Sequence, residues 1–227
     1  MNDEPVLLSA DRDGIRMLTL NRPDRKNAID PQLWVELADA LRAAVALALH
    51  ELTVPTIAKV AGVAVGGGWN LALGCDFVVA TPELRFCQIF SERGLSVDLG
   101  GSWLLPRLVG LQQAKRLVLL AETVDAAVAH SLGLVTWVKS SDEIDAFVDE
   151  LAGRLAAGPP FALSQSKGLL NDGANATLRE ALANEACAHP GNFATADSLE
   201  AYAAFAAKRT PTFTGRWAVN RTENKDA

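Results

Sequence analysis

The sequence predicts an α/β protein with a mixed core and a helical tail. Three observations carry that prediction. Strand-like segments facing each other across a turn open the chain; a strand, a glycine turn, a short helix and a second strand follow over residues 56–80; and beyond Gly158-Pro159-Pro160 only helical periodicity remains. That Gly-Pro-Pro break divides the chain into a core over residues 1–158 and a C-terminal helical region over residues 159–227.

Residues 6–10 and 15–20 alternate in polarity on either side of Arg12-Asp13-Gly14, which reads as a β-hairpin. Residues 21–27 form a loop rich in breakers. Asp30-Pro31 supplies an N-cap followed by proline at the first helical position, and Leu33, Leu37, Ala40, Leu41 and Ala44 make an apolar stripe. No glycine or proline interrupts residues 32–52, so the pattern predicts one long helix over residues 31–52. After Pro55 come a strand (56–60), the turn Gly66-Gly67-Gly68, a short helix (69–76) and a strand (77–80), a right-handed βαβ-type unit. Residues 106–120 and 125–132 read as helices, 133–138 as a short strand and 144–156 as a helix. The tail adds helices over 161–170, 178–188 and 195–208.

Apolar residues make up 49% and charged residues 21% of 227, a globular composition with room for one sizeable core and a smaller appendage. The net charge of −6 and the lack of any Lys/Arg block set nucleic-acid binding aside. Cys75, Cys87 and Cys187 form no CxxC pair, and His50, His130 and His189 show no metal-ligand spacing, so neither a disulfide framework nor a metal site is expected. The acidic start Met1-Asn2-Asp3-Glu4 does not read as a signal peptide. Lys59, Asn70, Asp76 and Glu122 interrupt every apolar run before the ~18 residues a membrane span needs. The expectation is a cytoplasmic protein with no membrane partner.

Two segments carry chemistry. Glycines between a strand and a helix let backbone N–H groups approach a ligand, and Gly66-Gly67-Gly68 matches neither a dinucleotide nor a P-loop spacing. An oxyanion hole is the remaining functional use, and a tight packing turn is the alternative. Asp98 precedes Gly100-Gly101 and an apolar helix start, so it is either that helix's N-cap or an acid/base group whose pKa is raised by Leu95, Val97, Leu99 and Trp103. Ser96 lies in G-x-S-x-D rather than G-x-S-x-G, with no histidine nearby, and makes a poor nucleophile candidate.

Leu20-Asn21-Arg22-Pro23 with Asn27-Ala28, Pro55-Thr56-Ile57-Ala58 with Gly62, and Gly66-Gly67-Gly68 through Cys75-Asp76 resemble the enoyl-CoA hydratase/isomerase (crotonase) superfamily. So do Gly94 with Gly100-Gly101, Pro106-Arg107, Gly110, Gly133-Leu134-Val135 and Phe205-Ala206-Ala207-Lys208-Arg209, in order over nearly the whole chain. The resemblance implies a ClpP/crotonase-like spiral of ββα units with a C-terminal helical trimerisation region, assembled as a homotrimer or homohexamer. It implies an acyl-CoA thioester substrate whose enolate is stabilised in an oxyanion hole, and no cofactor besides the coenzyme A of that substrate.

By the same resemblance Gly67 donates one N–H of the hole, with Gly66 and Gly68 beside it in the substrate-binding turn. The family's second donor comes from an alanine- and glycine-rich loop after the first long helix, and this sequence runs straight on between Ala44 and Leu49. A segment near residues 45–49 is therefore missing relative to the family, by deletion or because it escapes the numbering. The second is expected, because losing two strands would strip the core and half the hole. The two hydratase glutamates fall on Asn70 and Phe90; Glu92 is two residues out of register and reads as a solvated charge. Asp98 instead matches the catalytic aspartate of isomerases acting on ring or conjugated acyl-CoA.

Lys208 matches a lysine that reaches a neighbouring subunit's CoA phosphate, and Lys26 lies in a loop near the CoA nucleotide; either also reads as a solvated charge. The expected site is thus Asp98 and Gly67 as catalytic residues, with Gly66, Gly68, Asn70, Phe90, Lys26 and Lys208 binding substrate. The expected activity is a shift of an enoyl-CoA double bond. Its rivals are hydration of a trans-2-enoyl-CoA and acyl-CoA binding with little catalysis.

Overall fold

In the computed structural model, which describes residues 5–28, 32–33, 35–37 and 45–218, the expected hairpin is present. β1 (Leu7–Arg12) and β2 (Ile15–Leu20) pair antiparallel with Arg12 opposite Ile15. Asp13 and Gly14 take φ of 51° and 78°, as a two-residue turn between right-twisted strands requires. Residues 32–33 and 35–37 are helical, and the buried Leu33 and Leu37 pack against Val6, Leu7, Leu20 and Leu71. The Asp30-Pro31 cap and the middle of the expected long helix, with Ala40, Leu41 and Ala44, lie outside the described residues. At the end of the expected span, α1 (Val45–Glu51) is helical.

The core is a spiral in which successive strands enter two different sheets. β3 (Ile57–Val60), β5 (Phe77–Ala80) and β8 (Trp137–Val138) form one parallel sheet in the order β3-β5-β8. β4 (Val63–Val65), β6 (Arg85–Cys87) and β7 (Val124–Asp125) form the other, with β4–β6 parallel and β6–β7 antiparallel. The expected βαβ unit is the pair β3–β5 joined through α2 (Gly67–Leu73). It also contains β4, a strand that the residue pattern does not predict. Three-residue strands such as β4 and β6 are too short to show alternation. Asp76 clasps the start of the first sheet by accepting the Thr56 N–H (2.7 Å) and hydroxyl (2.8 Å).

The helix expected over 106–120 is two helices, α3 (Gly101–Val109) and α4 (Leu111–Leu119). Gly110 (φ 76°, ψ 157°) separates them, and Pro106 lies inside α3 rather than at a helix start. α5 (Ala126–Ser131) is capped by the Asp125 carboxylate accepting the Val128 N–H at 2.9 Å, and α6 (Ile144–Ala156) has the expected bounds. Trp69 on α2 stacks on Phe86 of β6 at 4.7 Å and 4°, at the centre of a core that includes Leu73, Val78, Leu84, Leu105, Leu117 and Val135.

The chain forms two compact units, Met1–Leu52 with Thr56–Gly153, and Thr53–Pro55 with Arg154–Ala227. The second holds α7 (Pro160–Gly173), α8 (Leu178–Phe193) and α9 (Ala196–Ala207). A capping box between Thr177 and Glu180 starts α8. Buried Asp197 accepts the N–H groups of Thr214 (2.7 Å) and Gly215 (2.9 Å), tying the segment after α9 back to its first turn. Among the described residues no helix is long and apolar enough to cross a membrane.

Candidate active site

Gly66 precedes α2 at φ 53°, ψ −123°, a left-handed backbone that side chains rarely adopt. Its own N–H is bonded to the Cys87 carbonyl at 2.9 Å. Gly66 therefore shapes the turn and offers no donor to a ligand, which narrows the substrate-binding role expected of it. The N–H groups of Gly67 and Gly68, in the first helical turn, meet no acceptor among the described residues. A Cβ on Gly68 would enter open space, whereas one on Gly67 would lie 2.6 Å from Leu99 Cδ1 and 3.7 Å from Asp98 Oδ1. The tertiary fold thus brings the Asp98 carboxylate against Gly67, the two residues the sequence assigns to catalysis.

Asp98 does not cap α3. The residue before the helix is Gly100 in left-handed conformation, with no side-chain cap, and it is the Asp98 backbone carbonyl that accepts the Gly101 N–H at 2.9 Å. The carboxylate has no hydrogen-bond or ion-pair partner among the described residues, and although it opens to solvent, the protein packed on its other side raises its pKa above the ordinary value by desolvation. An apolar cavity of about 140 Å³ adjoins the same loop, lined by Val97 and Gly101 on either side of Asp98 and by Leu105, Ala114 and Val118.

Asn70 and Phe90, expected to contact substrate, both face inward. Asn70 is 1% exposed: its Nδ2 donates to the Asp98 carbonyl at 2.9 Å and its Oδ1 accepts from Gln88 Nε2 at 2.6 Å. Phe90 is buried under the glycine turn, its ring 3.3 Å from where a Gly66 Cβ would stand. Glu92 lies exposed in a 3-10 turn, Ser91–Arg93. Lys26 closes the Pro23–Arg25 turn at φ 50° and Lys208 closes α9 at φ 53°; both are exposed. Sequence reasoning missed Gln88 and the contact of Leu99 on Gly67. The available signal was a lone amide in the apolar run Phe86-Cys87-Gln88-Ile89-Phe90.

Helix α1 touches α2 and α3. Its His50 ring meets Trp103 of α3 edge-on at 5.0 Å, and Leu49 Cδ2 lies 3.2 Å from where a Cβ on Gly74, at the end of α2, would stand.

Comparison with known proteins fixes the lineage. The sequence profile of the enoyl-CoA hydratase/isomerase family matches residues 43–216. The 1,2-epoxyphenylacetyl-CoA isomerase of Escherichia coli K12 is 31% identical over 258 residues, 92% of this chain and 98% of that protein. The crotonyl-CoA hydratase of Syntrophomonas wolfei is 36% identical over 165 residues, 73% of this chain but only 64% of its own length. A crystal structure of an enoyl-CoA hydratase from Polaromonas sp. JS666 superposes with a TM-score of 0.84 at 30% identity, covering 92% of this chain and 99% of that one. The 258-residue match is longer than the 227 residues of this chain and takes in nearly all of both proteins, so the Escherichia coli isomerase carries internal residues with no counterpart here. Since the profile takes in most of the sequence and the superposition nearly all of it, the chain belongs to the enoyl-CoA hydratase/isomerase family and has the crotonase fold.

Proposed function

We propose that this protein shifts a double bond of an enoyl-CoA thioester, with Asp98 moving the proton and the Gly67 N–H donating to the thioester oxygen as negative charge develops on it. The observation that carries this reading is the Asp98 carboxylate lying against Gly67, raised in pKa by burial and without a protein partner among the described residues. A carboxylate desolvated in this way is suited to take a proton from the acidic carbon next to a thioester and return it further along the chain. An N–H preset at that place stabilises the enolate without reorganising. Asn70 and Phe90 stand where hydration would call for two glutamates, and the Escherichia coli relative is named an isomerase, which supports proton transfer over water addition. The apolar cavity beside the Asp98 loop offers room for a small apolar part of the acyl group. This reading needs no cofactor beyond the substrate's coenzyme A, and it takes the enzyme as a cytoplasmic homotrimer or homohexamer.

In deuterium oxide, wild-type protein given 3-butenoyl-CoA should place deuterium on the substrate and move the double bond into conjugation. Asp98→Asn should slow both by about 10²–10⁴-fold while CoA-thioester binding holds. Exchange at the wild-type rate in this variant would remove Asp98 from the reaction. Lys208→Ala should weaken CoA-thioester binding by roughly one to two powers of ten, the value of one charge-assisted hydrogen bond, and leave a pantetheine thioester unaffected. Equal losses for both ligands would assign Lys208 to folding or assembly instead.

A second reading has a specific observation behind it. The family's second oxyanion donor comes from a loop that the run from Ala44 to Leu49 does not contain, which favours acyl-CoA binding with little catalysis. Tight binding of 3-butenoyl-CoA and crotonyl-CoA, with neither isomerisation, hydration nor exchange, would establish it.

A further inference from the structure

We propose that Gln88 is a positioning residue for this reaction, and that the end of β6 registers both halves of the site against each other. The inference rests on the reading of Asp98 as the proton-transferring group. Two consecutive residues do the registering. The Cys87 carbonyl holds the Gly66 N–H at 2.9 Å, setting the turn that presents Gly67. The Gln88 amide holds Asn70, and Asn70 holds the Asp98 carbonyl.

The direction of this relay is forced. The Asp98 carbonyl is an acceptor only, so Asn70 must turn its Nδ2 toward it, which leaves Oδ1 facing Gln88 and requires Gln88 to present its own NH₂ group. Position 88 must therefore supply a donor, and the Gln88 amide does so although its own Oε1, buried, meets no partner among the described residues. Both side chains are buried, at 0% and 1% exposure, and a polar pair this deep in a core calls for a reason. The loop supplies it. Leu99, next to Asp98, sits at φ 47°, a conformation a branched side chain resists, and the Asp98 carbonyl is held there by two donors, Asn70 Nδ2 and the Gly101 N–H, each at 2.9 Å. Gly101 has no side chain where Asn70 passes: a Cβ there would lie 2.5 Å from Nδ2. Released from the relay, the strained peptide would relax and carry the carboxylate away from Gly67.

The test compares Gln88→Leu, which keeps most of the volume and removes the donor, with Asp98→Asn and with the double variant, using deuterium exchange into 3-butenoyl-CoA and binding of the same thioester. Gln88→Leu should slow exchange by about 10- to 100-fold, the cost of a displaced catalytic group, with thioester affinity unchanged. The double variant should be no slower than Asp98→Asn alone, because positioning a carboxylate no longer matters once it is gone. If Gln88→Leu does not fold, Asn70→Asp carries the same test, since it keeps the shape and removes the donor to Asp98. A folded Gln88→Leu exchanging at the wild-type rate, or a double variant in which the two losses multiply, overturns the positioning role while leaving Asp98 as the base. An Asp98→Asn protein that exchanges like wild type overturns the base itself, and the role of Gln88 with it.

Discussion

Helices α2 and α3 both begin behind a glycine held at positive φ, Gly66 at 53° and Gly100 at 77°, and neither has a side-chain cap. At α2 the second and third glycines leave two N–H groups without acceptors among the described residues, and Gly68 borders open space. At α3 the first-turn N–H of Gly101 is taken by the Asp98 carbonyl, and the missing side chain admits Asn70 from within. One turn is bare toward solvent and the other is bare toward the core. Glycines in the first turns of the two helices, Gly68 and Gly101, thus meet opposite demands, one for access to backbone and one for close passage of a side chain.

Replacing each glycine separates the two demands. Gly101→Ala should have the largest effect. Its Cβ would fall 2.5 and 2.7 Å from the Asn70 amide atoms and 2.7 Å from Val97 Cγ2, all confined, so overpacking should cost about 1–3 kcal/mol of stability. Displacing Asn70 should also misplace Asp98 and lower α-proton exchange by about 10²-fold. Chemical unfolding and deuterium exchange check the two losses; a fully active, fully stable variant would mean that the contact is not confining.

Next in size is the pH dependence of the carboxylate between the turns. Burial raises Asp98 above its ordinary 3.8, and a base works ionised, so exchange should fall with decreasing pH along a limb centred above that value. For stability the sign is opposite to that of a salt-bridged carboxylate. Folding disfavours the ionised form, so Asp98's contribution is present below the unfolded pKa and lost as pH rises through the raised one. Asp98→Asn should therefore equal or exceed wild type in melting temperature near pH 7, and the gap should close below pH 3.8. A variant less stable than wild type at neutral pH would show that the carboxylate has a stabilising partner.

Gly68→Ala should do least. Its Cβ meets nothing within 4 Å, its N–H is kept, and alanine in a helix is favoured over glycine by up to ~1 kcal/mol. A small rise in melting temperature with unchanged exchange is expected. A sharp loss of exchange with intact stability would instead place the acyl thioester directly over this methyl and sharpen the contrast with Gly101.

Local sequence determined what local forces decide. The Asp-Gly turn between alternating segments made the hairpin, since both residues tolerate positive φ. Helix periodicity placed α6 and the three helices of the tail, and the order of glycines and prolines along the chain carried the family resemblance. Asp98 and Gly67 could be named from that resemblance, but whether Asp98 caps a helix or faces Gly67 could not, because both roles fit the same string of residues. Tertiary structure decided it, through Gly100 taking the cap position and Leu99 taking a left-handed turn. It also decided that Gly66's N–H is taken by Cys87 and that Asn70 serves Asp98 and Gln88. Those partners lie 28 and 18 residues from Asn70 along the chain, and a side chain's hydrogen bonds are set by whichever donors and acceptors the packed sheets deliver, at separations where no periodicity reports.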